Sequence, residues 1–385
     1  MKEHDLVCFS HLRWNFVFQR PQHLLTRRSK EGRVFYIEEP VYVDGNENCE
    51  TTLVQENLYV VVPHLTHTGT HEDKILRLEN LLKQLFLENN ISKYIFWYYT
   101  PMSLESTGSF TPELIIYDCM DELAAFKFAP SALKENEDKL FEKADLVFTG
   151  GYSLYEAKKH RHKQIFPFPS SIDKEHFEKA RNFTSDPPDQ ANIPHPRIGF
   201  YGVIDERMNL DLIGKVASNK PDWHFVIIGP VVKIDPSTLP TYDNIHYLDN
   251  KSYQELPSYM AGWDIAAIPF ALNESTRYIS PTKTPEYLAA GKPVISSSIH
   301  DVINPYKEKE LVYIADTPED FVVAAVSEFQ IDDKSSWLSK VDVFLQDKSW
   351  NHTWSDMMQL INNKLQEKEQ EKKINNLNLK EYVYV

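Results

Sequence analysis

The stretch Ser280-Pro281-Thr282-Lys283-Thr284-Pro285-Glu286-Tyr287-Leu288-Ala289-Ala290-Gly291-Lys292-Pro293-Val294-Ile295 reads as a polar loop, a short helix, a glycine stop and a buried strand. The apolar run Ile265 to Phe270 stands upstream of it, so the order is strand, loop, helix, strand. That order belongs to a parallel α/β sheet, where ligands collect beyond the carboxyl ends of the strands. A helix starting there turns unsatisfied N–H groups and the positive end of its dipole toward an anion such as a diphosphate. Pro281 or Pro285 can take the first helical position, with Ser280 or Thr284 as cap. Lys283 adds a full positive charge, and Glu286, one turn on, can accept hydrogen bonds from ribose hydroxyls. Taken alone, the same residues also describe a capped helix with Lys283 and Glu286 merely solvated.

Working outward, the same alternation fills the chain. Upstream, strands are predicted at 6–9, 34–37, 58–62, 94–98, 114–117 and 146–149, with helices over 72–87 and 132–143. Ile75, Leu78, Leu82, Leu85 and Phe86 keep the helical spacing of one apolar face. The pattern restarts at Arg197-Ile198-Gly199-Phe200-Tyr201-Gly202, a strand ending in glycine, and continues through strands at 223–229, 245–248, 265–270, 294–296 and 311–314. Arg181 to Pro196, rich in Asp, Asn and Pro, reads as a linker. The expected fold is α/β, with two Rossmann-like doubly wound domains. Their expected limits are 1–180 and 197–346, joined by 181–196. A helix over 347–365 is expected to cross back to the first domain, leaving 366–385 as a charged tail.

A chain of 385 residues with 42% apolar content can bury two cores. The net charge of −15 argues against a nucleic-acid partner, since affinity for phosphate backbones rests on Lys and Arg. Arg20, Arg27, Arg28, Lys30 and Arg33 offer a local basic face, either plainly solvated or turned toward an anionic membrane or a lipid-linked acceptor. Cys8, Cys49 and Cys119 are too widely spaced for a disulfide framework, which suits a cytoplasmic protein. The start shows no signal-peptide run, and no stretch approaches a membrane span. No Cys/His or Asp-x-Asp ligand spacing occurs, and no metal is expected.

Several residues follow predicted strands and so lie at a cleft edge. Asp118 and Asp121, after the strand at 114–117, are candidate general bases, and Asp121 is equally a cap for the next helix. His11 and Arg13 follow the first strand, with Trp14 beside them. Gly151 and Tyr152 open a helix after the strand at 146–149, a candidate anion or sugar contact.

The segment at 280–295 resembles the donor-site stretch of GT-B glycosyltransferases. A second signature, Phe168-Pro169-Ser170-Ser171-Ile172-Asp173-Lys174-Glu175-His176-Phe177, is similar to the hinge of the GT4, or group 1, members of that fold. The start, Ser10 to Leu24, resembles a bacterial subgroup used in cell-surface polysaccharide and teichuronic-acid synthesis. The resemblance implies a sugar transferase without a prosthetic group. Its donor would be a nucleotide sugar, UDP- in preference to GDP-, and its acceptor a glycan or lipid-linked molecule. The location implied is cytoplasmic, with contact at the inner membrane face. It further implies that Lys283 meets the donor diphosphate and Glu286 the ribose. Ser280, Pro281 and Thr282 would lie beside them, Gly202 and Arg207 after the first strand of the second domain, and Lys233 as a second cation. The family usually has a sugar-facing Glu eight residues before the ribose Glu; here that position is Tyr278, which leaves the stereochemical outcome open. The alternatives are a nucleotide-sugar 2-epimerase of the same fold and a non-catalytic sugar-nucleotide-binding subunit.

Overall fold

A computed structural model of the chain describes residues 3–382. Apolar runs of four to six residues, buried on both faces, build two sheets. In the first domain the strands are β1 (Asp5–Ser10), β2 (Val34–Glu38), β3 (Val41–Tyr42), β4 (Asn48–Gln55), β5 (Leu58–Leu65), β6 (Tyr94–Tyr98), β7 (Leu114–Cys119), β8 (Leu146–Thr149) and β9 (Ile165–Pro167). Their order is β3-β5-β2-β1-β6-β7-β8-β9, with β4 antiparallel on β5 and every other pairing parallel. Leu6 is in register with Val34 on one side, and Asp5 with Tyr94 on the other. The β3–β4 edge was not foreseen, because β3 is only two exposed residues and the mostly polar, exposed β4 carries no buried alternation.

The second domain has six parallel strands, β10 (Arg197–Tyr201), β11 (His224–Ile228), β12 (Ile245–Leu248), β13 (Ile265–Ile268), β14 (Val294–Ser296) and β15 (Tyr313–Ile314). Their order is β12-β11-β10-β13-β14-β15. Both sheets are therefore doubly wound, and the order reverses beside β1 in one and beside β10 in the other. Such reversals open a crevice at the carboxyl ends of the two strands that flank them.

The packing moves the expected domain limits. Ile172, Phe177 and Ala180 are buried in the core of the second domain, so the chain crosses over near 168–172 and not at 181–196. The proline-rich stretch behaves as a strap on the second domain. Gln190 bonds the Trp263 indole at 3.0 Å, and Asp186 pairs with Arg197 at 2.7 Å. The chain returns between Leu345, in the second core, and Trp350, in the first. The helix then runs unbroken from Trp350 to Tyr382, so 366–382 is its continuation and not a separate tail. Lys368 and Lys372 tie that continuation to Asp145 and Glu113. No helix among the described residues is long and apolar enough to cross a membrane.

Candidate functional site

The two crevices face one another across a cavity of about 590 Å³. One wall is the loop after β1, with Trp14 and Phe16, and Gln22 of the helix Arg20–Arg28; the other carries Tyr201, Gly202, Arg207, Lys283 and Glu286 from the second domain. The loop Asn250 to Gln254 closes the end of this wall. Sequence reading passed over that loop, although it follows the apolar run at 245–248, two strands from the switch point. The rule that ligands gather at strand ends could have found it.

The helix that carries Lys283 and Glu286 spans Lys283–Ala289, so it begins before Pro285 and after Pro281, and neither proline takes the first helical position. Thr282 is its cap residue, yet no side chain accepts a bond there, and the Thr284 hydroxyl is buried without a partner. Neither Ser280 nor Thr284 is the cap. The Ser280 carbonyl instead accepts from the Ser170 hydroxyl at 2.6 Å, tying this loop to the hinge. Pro281 starts the turn, its carbonyl accepting from Thr284 N–H at 3.3 Å.

Lys283 is held by aromatic faces. Its ammonium stands 5.5 Å from the centre of the Phe200 ring, 5.7 Å from Phe270 and 5.9 Å from Tyr201. Burial and the neighbouring Arg207 charge push its pKa down. Glu286 accepts from the Tyr201 hydroxyl, and burial pushes its carboxyl up despite that bond and despite Lys283. Lys283 is half-buried and Glu286 buried, both at the cavity wall. Gly202 makes room for them, with a φ of +137°. Gly229, with φ +138°, lets the β11 loop lie against the β10 loop, since a Cβ there would stand 2.1 Å from the Gly202 carbonyl oxygen. The two loops then continue side by side, Ile204 N–H to Pro230 carbonyl and Val232 N–H to Ile204 carbonyl at 2.9 Å each. This pairing brings Arg207 and Lys233 to the same side.

Arg207 is braced by Asp205, Nε to Oδ1 at 3.0 Å and Nη2 to Oδ2 at 2.7 Å. Lys233 is exposed and does not line the cavity itself. It reaches the first domain, where its charge and, more strongly, burial hold His11 down to about 4; a backbone bond at Tyr99 opposes them. His11 is therefore neutral at ordinary pH, and its Nδ1 is buried without a partner.

The two aspartates separate. Asp118 is fully buried, and its carboxylate is held by Arg20, Nε at 3.1 and 3.0 Å and Nη2 at 2.9 Å. That pairing removes Asp118 as a base, because a carboxylate locked in a buried pair cannot meet an acceptor hydroxyl. Asp121 is not a cap: the turn that follows, Leu123–Ala125, has Glu122 in the cap position and no side-chain cap bond. Burial pushes the Asp121 carboxyl up to about 6, with Arg207 and Arg20 pulling it back.

Other expected contacts are spent elsewhere. The N–H groups of Tyr152 and Ser153, beyond Gly151, are taken at 2.9 and 3.0 Å by Asp301 of the second domain, which leaves no anion site there. Tyr278 packs against the first-domain core and not into the cavity, with Arg277 over its ring at 5.3 Å. Arg13 pairs with Glu38 at 2.8 Å, and the same carboxylate accepts from Trp14 N–H at 2.7 Å. Glu38 also lines a second cavity of about 290 Å³ beside the helix His71–Glu88, lined by Ile37 and Leu65 and by Leu78 of that helix. The basic run is consumed internally. Arg20 holds Asp118, Arg27 reaches Asn351, Arg28 is buried with Nη2 on the His4 carbonyl, and Arg33 pairs with Asp5. Only Lys30 of that run is fully exposed, so it makes no membrane-facing patch.

Comparison with known proteins agrees with this architecture. Residues 195–330 match the family model described as Glycosyl transferases group 1. A Bacillus subtilis (strain 168) protein, TuaH, assigned as a teichuronic acid biosynthesis glycosyltransferase, is 24% identical over 255 residues. The match spans 61% of this chain and 63% of that protein. Among solved structures, sucrose-phosphate synthase from Thermosynechococcus elongatus superposes with a TM-score of 0.68 at 13% identity, covering 94% of this chain and 99% of that one. A trehalose-6-phosphate protein of E. coli bound with UDP-2-fluoro glucose gives 0.68 at 12% identity, covering 94% and 99%. The Anabaena protein HepE, in complex with UDP and glucose, gives 0.65 at 12%, covering 93% and 99%. At these identities the likeness is one of fold: two Rossmann-like domains facing a central cleft.

Proposed function

We propose, for a chain whose second domain is a group 1 glycosyltransferase domain in a GT-B frame, that the cavity between its domains binds a nucleoside-diphosphate sugar and passes the sugar to an acceptor. The observation that carries this reading is the Lys283 ammonium, which faces the cavity on three aromatic rings and makes no ion pair among the described residues. A cation kept in a half-buried place without a carboxylate partner is one whose charge is left for an anionic ligand. Arg207 lines the same cavity, and Lys233, against the same Phe126 ring on the adjoining loop, adds charge from outside the lining. Together they can meet the charge that develops on the departing diphosphate.

Under this reading Glu286 and Tyr201 take the ribose hydroxyls. Asp121 removes the proton from the acceptor hydroxyl as its oxygen bonds to the anomeric carbon and the bond to the diphosphate oxygen breaks. A carboxyl lifted to about 6 by burial is well matched to that task near neutral pH. Neutral His11, with its unpartnered Nδ1, hydrogen-bonds a hydroxyl of the transferred sugar.

A UDP-linked donor is supported by the nucleotides held by the similar structures. A glycan or lipid-linked acceptor of a surface polysaccharide is supported by the resemblance to TuaH. Calorimetric titration with UDP, GDP and ADP tests the donor site, repeated on Lys283→Ala. One of these nucleotides should bind the parent protein and bind the variant at least roughly tenfold more weakly. Equal binding by both proteins, or by neither, removes the reading.

A further inference from the structure

We propose that Phe126, a first-domain residue, is a positioning residue that holds Arg207 and Lys233 of the second domain together as one diphosphate-binding pair. The Arg207 guanidinium carbon lies 5.5 Å from the centre of its ring and the Lys233 ammonium 5.7 Å. Both distances fall inside the range in which a ring face attracts a cation. This inference rests on the donor-site reading above and deepens it.

Two like charges on adjoining loops repel, and the site must hold them close together. Asp205 restrains Arg207 but contacts only that residue. Lys233 has no ion pair among the described residues, and its backbone is held at φ +63°, a region that a lysine rarely adopts. Asp205 already offsets part of the Arg207 charge, and a second carboxylate in the place of Phe126 would cancel what the pair has left for a diphosphate. An aromatic face attracts each cation and leaves its charge available. The ring is itself fixed from the second domain, since the N–H of its neighbour Lys127 donates to Glu206 at 3.3 Å. The cation pair is therefore assembled by contact between the domains and loosens when they part.

The test is calorimetry on the full chain with UDP and UMP, comparing the parent with Phe126→Leu and Phe126→Tyr. Leucine keeps an apolar filling without the ring face; tyrosine keeps the face. Phe126→Leu should bind UDP roughly tenfold more weakly while its UMP affinity moves less than about twofold, because the loss belongs to the added phosphate. Phe126→Tyr should stay within about twofold of the parent for both. In a Lys233→Gln background, the Phe126→Leu penalty should shrink by about half, as coupled residues require. Leucine and tyrosine behaving alike, UMP falling in step with UDP, or full additivity with Lys233→Gln would each overturn the proposal. A parent that binds no nucleotide removes the donor-site reading and this one with it. A parent that binds, with Phe126→Leu unchanged, removes only this one.

Discussion

A Cβ at position 202 would stand 2.6 Å from the Lys283 Cε and 2.8 Å from its ammonium, so the lysine is seated in the space that glycine leaves. With φ at +137°, position 202 also penalises any side chain. Gly202→Ala is therefore expected to tilt the ammonium off its three rings without breaching either core. UDP affinity should fall roughly tenfold or more, the size of one lost charge-assisted contact. Calorimetry reads this directly, and unaltered affinity would show that the seat of Lys283 does not matter to the ligand.

Asp118 and Asp121, three residues apart, should fail in different ways. Asp118→Asn breaks the buried pair with Arg20, and leaving one buried charge uncompensated costs about 3–5 kcal/mol. Its melting temperature should drop steeply, with any surviving activity showing an ordinary pH profile. Asp121→Asn should melt near the parent and lose roughly 10²–10⁴ in kcat. In the parent the base works only when deprotonated, so activity should climb as pH rises through about 6, and this acid limb should vanish in the variant. An Asp121→Asn enzyme with parental kcat would dismiss it as the base.

The sequence carried the sheet-forming runs well, because a strand buried on both faces is legible as a continuous apolar block. The exposed β3–β4 edge carries no such block. Lys283, Arg207 and Glu286 were legible as residues beyond strand ends. Phe126, Tyr201 and Asp301 were not, since their roles come from contacts between residues far apart in the chain. Phe126 meets Lys233 across the domain boundary, and an aromatic residue in a loop gives no local signal of that. Asp118 was misread for the same reason: nothing near it in sequence announces Arg20, ninety-eight positions away. The domain limit was misplaced because composition marks a proline-rich strap, whereas burial of Ile172 and Phe177 marks the true crossover.

Asp301 links the domains through two backbone N–H groups of the helix Tyr152–Lys158. It is 4% exposed, so these charge-assisted bonds are shielded from water. Asp301→Ala should lower stability by about 2–3 kcal/mol and raise the KM for the donor, because the cleft loses one of its cross-links. Denaturant titration measures the first effect and steady-state kinetics the second. A variant with the parental midpoint would mean that the two domains are held together without this bond.

His23 lies in an aromatic stack that joins both domains: its ring is 4.6 Å from Trp350 and meets Phe18 and Tyr253 edge-on at 4.7 and 5.5 Å. Burial holds its pKa well below 6.5, and the charges of Arg27 and His176 push the same way. His176, stacked on Tyr253 at 4.4 Å, is lowered too, mainly by burial, against the bond to the Tyr253 carbonyl and the Asp173 charge. Below 6.5 the unfolded chain binds protons that the folded chain refuses, so stability should fall as pH drops, by up to about 1.4 kcal/mol per pH unit for one such group. Asp121 acts in the opposite sense between about 6 and 3.8, because its folded form holds a proton more tightly than the unfolded chain does. The difference between the parent and His23→Phe cancels that contribution and isolates the histidine. Denaturation midpoints from pH 7.5 to 5 should fall more gently for His23→Phe than for the parent. Parallel slopes would mean that His23 takes up a proton in place, with the stack intact.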